Sequence, residues 1–374
     1  MTRLLTAALL LCVNLTAAAC PLCLGAFRPS TAQQLVELQH AVLALPSADA
    51  SNYLVVEVIK GGRPPGGVID AAAVQVDVTA KSSKTLLLLA RDESWPMWMR
   101  FGTIGAEHAS WLRQIAAGKH SGEMNASEWQ ARVGLMLPYL ENREPLVAEI
   151  AYGEFAAAPY ASLLTVKPRL AAPKIRQWLA DPKLAARQPL YVLLLGIAGN
   201  AQDAASLERQ LDAVWKSGDA SNLGSLIAAD LQLRGPSRMA WVDGRYLSDP
   251  KRSTREIEAA LLALSVQGNA NSVIPRERVI QSYRLFMTAR KDLAGYVAQD
   301  FATWQYWDAV PDYVALLKSG VKQQYPSYIA IVAYLRQSPA GKTGNIDLPR
   351  SVGLSSEQWT NAFGKPNAIP ALPQ

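Results

Sequence analysis

A helix ending that recurs at a nearly constant interval is the feature that most constrains the fold of this chain. Leucine precedes glycine by four residues at Leu195–Gly199, Leu231–Gly235 and Leu264–Gly268, and the glycines lie 36 and 33 residues apart. An interval of this length is typical of repeats built from paired helices. We therefore expect each glycine to be the left-handed residue after a helix, and the pairs to stack as a HEAT-like solenoid with a concave surface.

The helical pattern extends well beyond these three endings. Apolar residues at helical spacing predict helices within 111–115, 129–140, 207–214, 279–286 and 328–335. Three prolines stand where the first turn of a helix tolerates them: Pro145, Pro173 and Pro189. We assign residues 119–340 to the helical-repeat domain and expect residues 341–374, with their Pro, Gly and Asn, to form a loosely held tail.

Residues 20–118 follow a shorter period, which predicts strands. The segments 53–59, 74–78, 85–90 and 97–104 have strand length and composition, and glycines and prolines form a turn after the first of them. Residues 32–44 predict a short helix, or a helix that leads into a strand. Several short strands separated by turns are typical of a small antiparallel β barrel or sandwich, so the predicted fold class is α+β.

The N-terminus has the layout of a bacterial secretory signal. An apolar stretch, Leu4–Leu15, is followed by the small residues Ala17 and Ala19 at the positions that precede a cleavage point. This stretch is shorter than the roughly 20 apolar residues that a membrane-spanning helix needs. The sequence therefore predicts that residues 1–19 are removed and that the mature protein is exported to the periplasm or secreted.

The mature chain begins with a pair of cysteines, Cys20 and Cys23, and keeps no other cysteine. In an oxidising compartment we expect them to form a local disulfide that fixes the direction of the N-terminus. Lipidation of Cys20 is an alternative that would anchor the protein to a membrane, although Ala17 stands where a lipoprotein signal normally has leucine. Redox or metal chemistry at the pair is a further alternative.

Charge gives little evidence for a specific ligand. The formal net charge is +6, the predicted isoelectric point is about 9.1, and lysines and arginines are scattered among acidic residues without a basic run. Export would also place the protein in a compartment without nucleic acid. We therefore predict a solvated surface and no nucleic-acid partner.

Catalytic motifs are missing from the sequence. It contains no G-x-S-x-G elbow, no H-E-x-x-H motif and no phosphate-binding glycine loop. Its histidines, His40, His108 and His120, show no ligand spacing, and Glu149 and Glu154 are expected to be solvated surface charges. The sequence thus predicts no catalytic residue, no metal ligand and no cofactor.

Two groups of residues are candidates for binding. Trp304 and Trp307 are three apart and are predicted to share a helix face, either as part of the core or as an exposed groove. Arg276 and Arg278 lie in the first turn of a predicted helix, where the helix dipole disfavours cations. They are expected to form a salt bridge with an adjacent repeat or to bind an anionic ligand.

Several segments together resemble an uncharacterised family of exported bacterial proteins. They are the Ala-Cys-Pro-Leu-Cys start at 19–23 and the segments 154–160 and 273–278, and Trp304 with Trp307 and Tyr334–Arg336 before Pro339 fit as well. The resemblance implies a Cys-Pro-x-Cys mature start, a small β domain and a HEAT-like helical region, and no activity. The β domain also resembles netrin-type OB folds in its initial cysteines and in a Val-rich strand that ends in Lys60 and Gly61.

These observations favour a non-catalytic scaffold or partner-binding protein of the cell envelope. Solenoids offer extended surfaces to protein partners, and no chemistry is visible in the sequence. A membrane contact is expected only if Cys20 is lipidated. The alternative is a redox or metal-handling protein that uses Cys20 and Cys23.

Overall fold

The computed structural model describes residues 29–75 and 86–346. Within these ranges the chain forms one five-stranded antiparallel sheet followed by a predominantly helical region. The predicted α+β class is confirmed. None of the described helices combines the length and the apolar character that crossing a membrane requires.

The sheet has the strand order β3-β2-β1-β4-β5, and every neighbouring pair is antiparallel. A short helix, α1 (Thr31–Glu37), leads directly into the first strand, as one of the two readings of residues 32–44 predicts. The strands are β1 (His40–Pro46), β2 (Asn52–Lys60), β3 (Val68–Asp70), β4 (Leu87–Arg91) and β5 (Met99–Thr103). The predicted strands at 53–59, 85–90 and 97–104 are therefore confirmed.

The sheet is open, so the expected barrel or sandwich is wrong for the described residues. After β3, Asp70 caps a short 3-10 helix, Ala71–Ala73, which ends the strand. The chain then makes one isolated parallel bridge, between Val74 and Trp98, in place of a ladder. The remainder of the strand predicted at 74–78 lies outside the described residues.

One face of the sheet carries its own apolar core. The core residues come from β1 to β4 and from the segments beside the sheet: Val42, Ala44, Val55, Ile69, Val74, Leu87, Leu89 and Trp98. Helix α2 (Ala109–Ala116) packs against β2, and α1 packs against α2. The predicted helix at 111–115 is α2, whose Trp111, Leu112 and Ile115 are buried.

Arginine side chains cover the free edge of β2. Strand β3 pairs only with residues 52–54, which leaves the outer edge of β2 without a partner strand from Val55 onward. Arg63 Nη2 donates to the Val55 carbonyl at 2.6 Å, and Arg113 Nε donates to the Val58 carbonyl at 3.1 Å. Arg113 also pairs with Glu57. These bonds satisfy carbonyl groups that would otherwise template a further strand.

The helical region follows the predicted starts closely. Proline occupies the first turn of α4 (Pro145–Ala157), α6 (Ala172–Ala180) and α7 (Gln188–Ala198), as expected from Pro145, Pro173 and Pro189. The remaining helices of the described chain are α3 (Ala126–Met136), α4 (Pro145–Ala157), α5 (Tyr160–Leu164), α6 (Ala172–Ala180), α7 (Gln188–Ala198), α8 (Ala201–Ser217), α9 (Leu223–Arg234), α10 (Met239–Val242), α11 (Thr254–Ala270), α12 (Arg276–Ala289), α13 (Ala298–Thr303), α14 (Val310–Lys318), α15 (Tyr325–Gln337) and α16 (Pro339–Lys342).

The recurring glycines do not share one conformation, and the expected left-handed residue after a helix is found at only one of the three positions. Gly235 follows α9 with a φ of 74°, as predicted. Gly199 follows α7 with an extended backbone at a φ of −77°. Gly268 lies inside α11, which ends instead at Asn271 with a φ of 46°. Asparagine tolerates the left-handed region, and so it performs the role expected of the glycine.

The centre of the helical region consists of helices with no exposed face. Residues 190–197 of α7 and 223–231 of α9 are all buried, and α9 packs against α7, α8 and α11. The helical content is consistent with helical repeats. A solenoid is not confirmed, because a helix buried on every side cannot line an open concave surface.

The described chain divides into two compact units. One contains the described residues up to Val242 together with Ser253–Val279, and the other contains Asp243–Arg252 and the described residues from Ile280 onward. The sheet and helices α1–α11 belong to the first unit, and α13–α16 belong to the second. The limits predicted at residues 118 and 340 stay predictions.

Candidate functional site

The predicted site residues fall into three places. Cys20 and Cys23, predicted as a disulfide or lipidation site, lie outside the described residues.

Trp304 and Trp307 do not share a helix face, because α13 ends before Trp304 and Gln305 has a φ of 54°. Trp304 stacks on Tyr283 with ring centroids 5.6 Å apart, and Trp307 packs against Tyr334 at 5.2 Å.

Both tryptophans thus belong to an aromatic cluster of the second unit. Its other rings come from α12 to α15 and from the loop after α13: Tyr283, Phe301, Tyr306, Tyr313 and Tyr334. Tyr283, Phe301 and Tyr313 are fully buried. Trp304 and Trp307 are themselves only half-buried, so both interpretations of the pair, core or exposed groove, stay predictions.

Arg276 acts on the end of the preceding helix. It is the first residue of α12, and its Nε donates to the Gly268 carbonyl in the last turn of α11 at 3.1 Å. Its backbone N–H donates to Asn271 Oδ1 at 3.0 Å. This guanidinium therefore offsets the partial negative charge of a helix C-terminus. Arg278 lies two residues further along α12 and is half-buried.

An apolar strip crosses three strands of the sheet. Leu45 of β1 is the register partner of Leu54 of β2, which is in turn the partner of Val68 of β3. Leu54 is 48% exposed and Val68 is 38% exposed, and Val56, the residue that the β1 register skips, is 44% exposed beside them. We call Leu45, Leu54, Val56 and Val68 the apolar strip. Solvated sheet faces usually carry polar side chains at such positions.

Two exposed carboxylates mark one end of the apolar strip. Asp49 lies in the turn between β1 and β2, where hydrogen bonds from Ser47 and Ser51 lower its pKa to about 2. Asp70 lies at the end of β3, opposite Asn52. The Ala71 N–H donates to the Ser51 carbonyl at 3.0 Å, which ties the turn to the end of β3. The strip is therefore an apolar surface with negative charge at one end.

A second group of polar residues lies at the start of the helices. Glu107, His108 and Glu144 place one donor atom each within 4.8 Å of one another, and we call them the acid–imidazole group. His108 Nε2 lies 3.1 Å from Glu144 Oε1, and the Gly105 N–H donates to Glu144 Oε2 at 2.7 Å. His108 is buried, whereas Glu107 is exposed.

Aromatic rings surround the imidazole of His108. The rings of Trp111 and Tyr139 have centroids 6.1 Å and 5.8 Å from it, and they contact each other at 4.4 Å. His108 precedes α2, and Glu144 precedes α4. The group thus joins the starts of two helices, and packing holds the imidazole in one orientation.

One carboxyl group that was expected on the surface is buried. Glu154 is only 1% exposed, so the expectation of a solvated charge is wrong for it, while Glu149 is exposed as predicted. Ser30 Oγ donates to Glu154 Oε1 at 2.7 Å, and Arg132 Nη1 lies 3.6 Å from Oε2. Burial raises the pKa of Glu154, and Arg132 and Ser30 oppose this effect.

The comparisons with known proteins find no relative. No protein-family model, no curated protein and no solved structure matches this chain. Any proposal about its function therefore depends on its own residues.

The sequence did not predict the apolar strip or the acid–imidazole group, for identifiable reasons. The alternation of β2 predicts a strand, but it does not predict which positions of the strand other parts of the chain cover. Glu107 and His108 are adjacent in the sequence, which by itself does not indicate a shared ligand site. Glu144 follows 36 residues after His108, at the start of another helix, and no sequence spacing connects them.

Proposed function

We propose that this chain is an exported, non-catalytic scaffold or partner-binding protein of the cell envelope. The observation that carries the proposal is the apolar strip, in which neighbouring strands expose leucine and valine side chains in register. Exposed apolar patches on soluble proteins commonly mark protein interaction sites. The secretory layout of residues 1–19 supports export.

The partner is a protein segment that carries apolar side chains next to lysine or arginine. The apolar residues would pack on Leu54, Val56 and Val68, and the basic residue would meet Asp49 and Asp70 at the end of the strip. The edge of β2 is already covered by Arg63 and Arg113. Recognition would therefore use side chains on the sheet face in place of a strand added at this edge.

Defined peptides test the binding function. We would titrate the mature protein into labelled ten-residue peptides that alternate leucine with polar residues and carry either lysine or glutamate at one end. The lysine peptide is expected to bind, with the double substitution Leu54→Ser and Val68→Ser weakening it at least tenfold. Asp49→Asn with Asp70→Asn should weaken its binding mainly at low salt, because exposed charges are screened.

Leu285→Ser is the matched control, because Leu285 is 40% exposed on α12, far from the strip in sequence. This variant should bind the lysine peptide as the unsubstituted protein does. Equal binding of the lysine and glutamate peptides, or unchanged binding after the double substitution in the strip, would contradict the proposal. Cell fractionation with and without residues 2–19 tests export separately.

A further inference from the structure

The acid–imidazole group is a compact set of metal-binding donors that the proposed binding function does not use. We propose that Glu107, His108 and Glu144 bind one divalent cation of the zinc class, with water completing the coordination shell. His108 contributes an imidazole nitrogen, and each glutamate contributes one carboxylate oxygen. Zinc sites with three protein ligands and an open fourth position use this donor chemistry.

The distance between two of the donors already suits a bound ion. His108 Nε2 and Glu144 Oε1 are 3.1 Å apart. Zinc bonds of about 2.0–2.1 Å at tetrahedral angles place neighbouring donors about 3.3 Å apart. An ion can therefore bind between these two atoms, with His108 coordinating through Nε2 as a neutral imidazole whose single proton is on Nδ1. The third donor comes from Glu107, whose exposed side chain can rotate toward the ion.

The charge of the group also favours a cation. Glu107 and Glu144 are two carboxylates beside a single imidazole, and among the described residues the only ion pair of Glu144 is with His108. Among the described residues, Glu107 makes no ion pair with lysine or arginine. Two carboxylates beside one imidazole give the group an excess of negative charge, which a divalent cation offsets.

The surroundings hold the donors in place. The Gly105 N–H binds Glu144 Oε2 at 2.7 Å, which orients Oε1 toward His108. The flexible Glu107 side chain lies against Gly105, where a Cβ would be 2.3 Å from its Oε2. Trp111 and Tyr139 fix the imidazole ring. Such supporting contacts are typical of the outer shell of a metal site.

Calorimetry with zinc chloride tests the site directly. The exported full-length mature protein would be stripped with a chelator and treated with an alkylating reagent, so that Cys20 and Cys23 offer no thiolate. One zinc ion per chain is expected. Glu107→Gln should weaken binding at least tenfold, and His108→Gln should abolish it, because each removes a ligand. Glu149→Gln is the matched control, since Glu149 is exposed on α4 and lies outside the group.

Thermal unfolding in chelator separates loss of a ligand from loss of the fold. Glu107→Gln removes an exposed carboxylate, so its Tm in chelator should equal that of the control. Zinc should raise the Tm of the control and not that of Glu107→Gln, because only a bound ligand stabilises the native state. The absence of zinc binding, or equal affinity in Glu107→Gln and Glu149→Gln, would overturn the proposal.

Discussion

Buried carboxyl groups hold separate parts of this chain together. Glu154 of α4 meets Arg132 of α3 and Ser30, the residue before α1. Asp203 of α8 accepts two bonds from Arg176 of α6, at 2.7 Å and 2.8 Å. In both cases the carboxyl is almost inaccessible to water, so its partners determine whether burial is tolerated.

Removing the arginine beside Glu154 should make stability depend on pH. In Arg132→Met the buried Glu154 loses its only cationic partner in the described ion pairs, and we expect a loss of about 3 kcal/mol at pH 8. Burial already raises the pKa of Glu154, so the folded protein binds its proton more tightly than the unfolded chain does. The loss should therefore shrink as the pH falls toward 5, where the carboxyl takes up a proton.

Urea unfolding at pH 5 and pH 8 measures this dependence. Arg143→Met is the control, because Arg143 is exposed at the turn before α4. The control should lose little stability at either pH. An equal loss for Arg132→Met at both pH values would mean that Glu154 does not titrate in this range.

Asp203→Asn should destabilise the fold by about 2 kcal/mol at neutral pH. The substitution removes the charge-assisted pair with Arg176 and weakens the capping bond in which Asp203 Oδ2 accepts the Asn200 N–H. Arg176 lowers the pKa of Asp203 in the folded state, so its contribution is complete above the unfolded pKa. That contribution is lost as the pH falls through the lower folded value, and the variant and the parent should converge in acid. Chemical denaturation of Asp203→Asn and of the unsubstituted protein at pH 7 and pH 3 measures the difference in their free energies of unfolding.

At the scale of elements, α7 and α9 approach each other closely at one glycine. A Cβ on Gly196 would lie 2.6 Å from the Ala229 Cα and 2.7 Å from its Cβ. The backbones of the two helices therefore pack directly against each other at this point. Since both helices are buried on every side, neither can move outward to make room.

Gly196→Ala should cost about 1–3 kcal/mol, because overpacking a close helix contact forces backbone shifts. Gly244→Ala is a suitable control, since a Cβ at Gly244 meets no atom within 4 Å. Chemical denaturation should show the loss only for Gly196→Ala. Equal stability of the two variants would contradict the close packing of α7 on α9.

The sequence predicts the starts of helices better than their ends. Pro145, Pro173 and Pro189 mark helix starts correctly because proline has a fixed φ and its missing N–H costs nothing in the first turn. Glycine allows many backbone conformations, so Gly199 and Gly268 do not by themselves predict a left-handed residue at a helix end. The spacing of Trp304 and Trp307 suggested a helix as well, but the chain turns between them at Gln305.

At the scale of the whole molecule, the pattern of periods predicts the α+β class and the order of its parts. It does not predict whether the sheet closes, because closure depends on what the chain does after β3. The acid–imidazole group could not be predicted either. Its three donors come together because the fold brings the residues before α2 close to the residue before α4.

Intact-mass spectrometry of the exported protein tests the predicted mature start. We expect the mass of residues 20–374 lowered by two hydrogens, since Cys20 and Cys23 are predicted to form a disulfide in an oxidising compartment. Reduction should restore those hydrogens. An added lipid mass would contradict the disulfide and indicate a membrane anchor, and a mass that includes residues 1–19 would contradict cleavage.

The arginines on the edge of β2 have a consequence for how the protein behaves when it is concentrated. An open edge can seed fibrils, since each added chain presents the same edge to the next. Arg63 and Arg113 occupy the carbonyls of Val55 and Val58, so an incoming chain would first have to displace two charged side chains. These two bonds therefore hinder polymer growth from this side of the sheet at its first step.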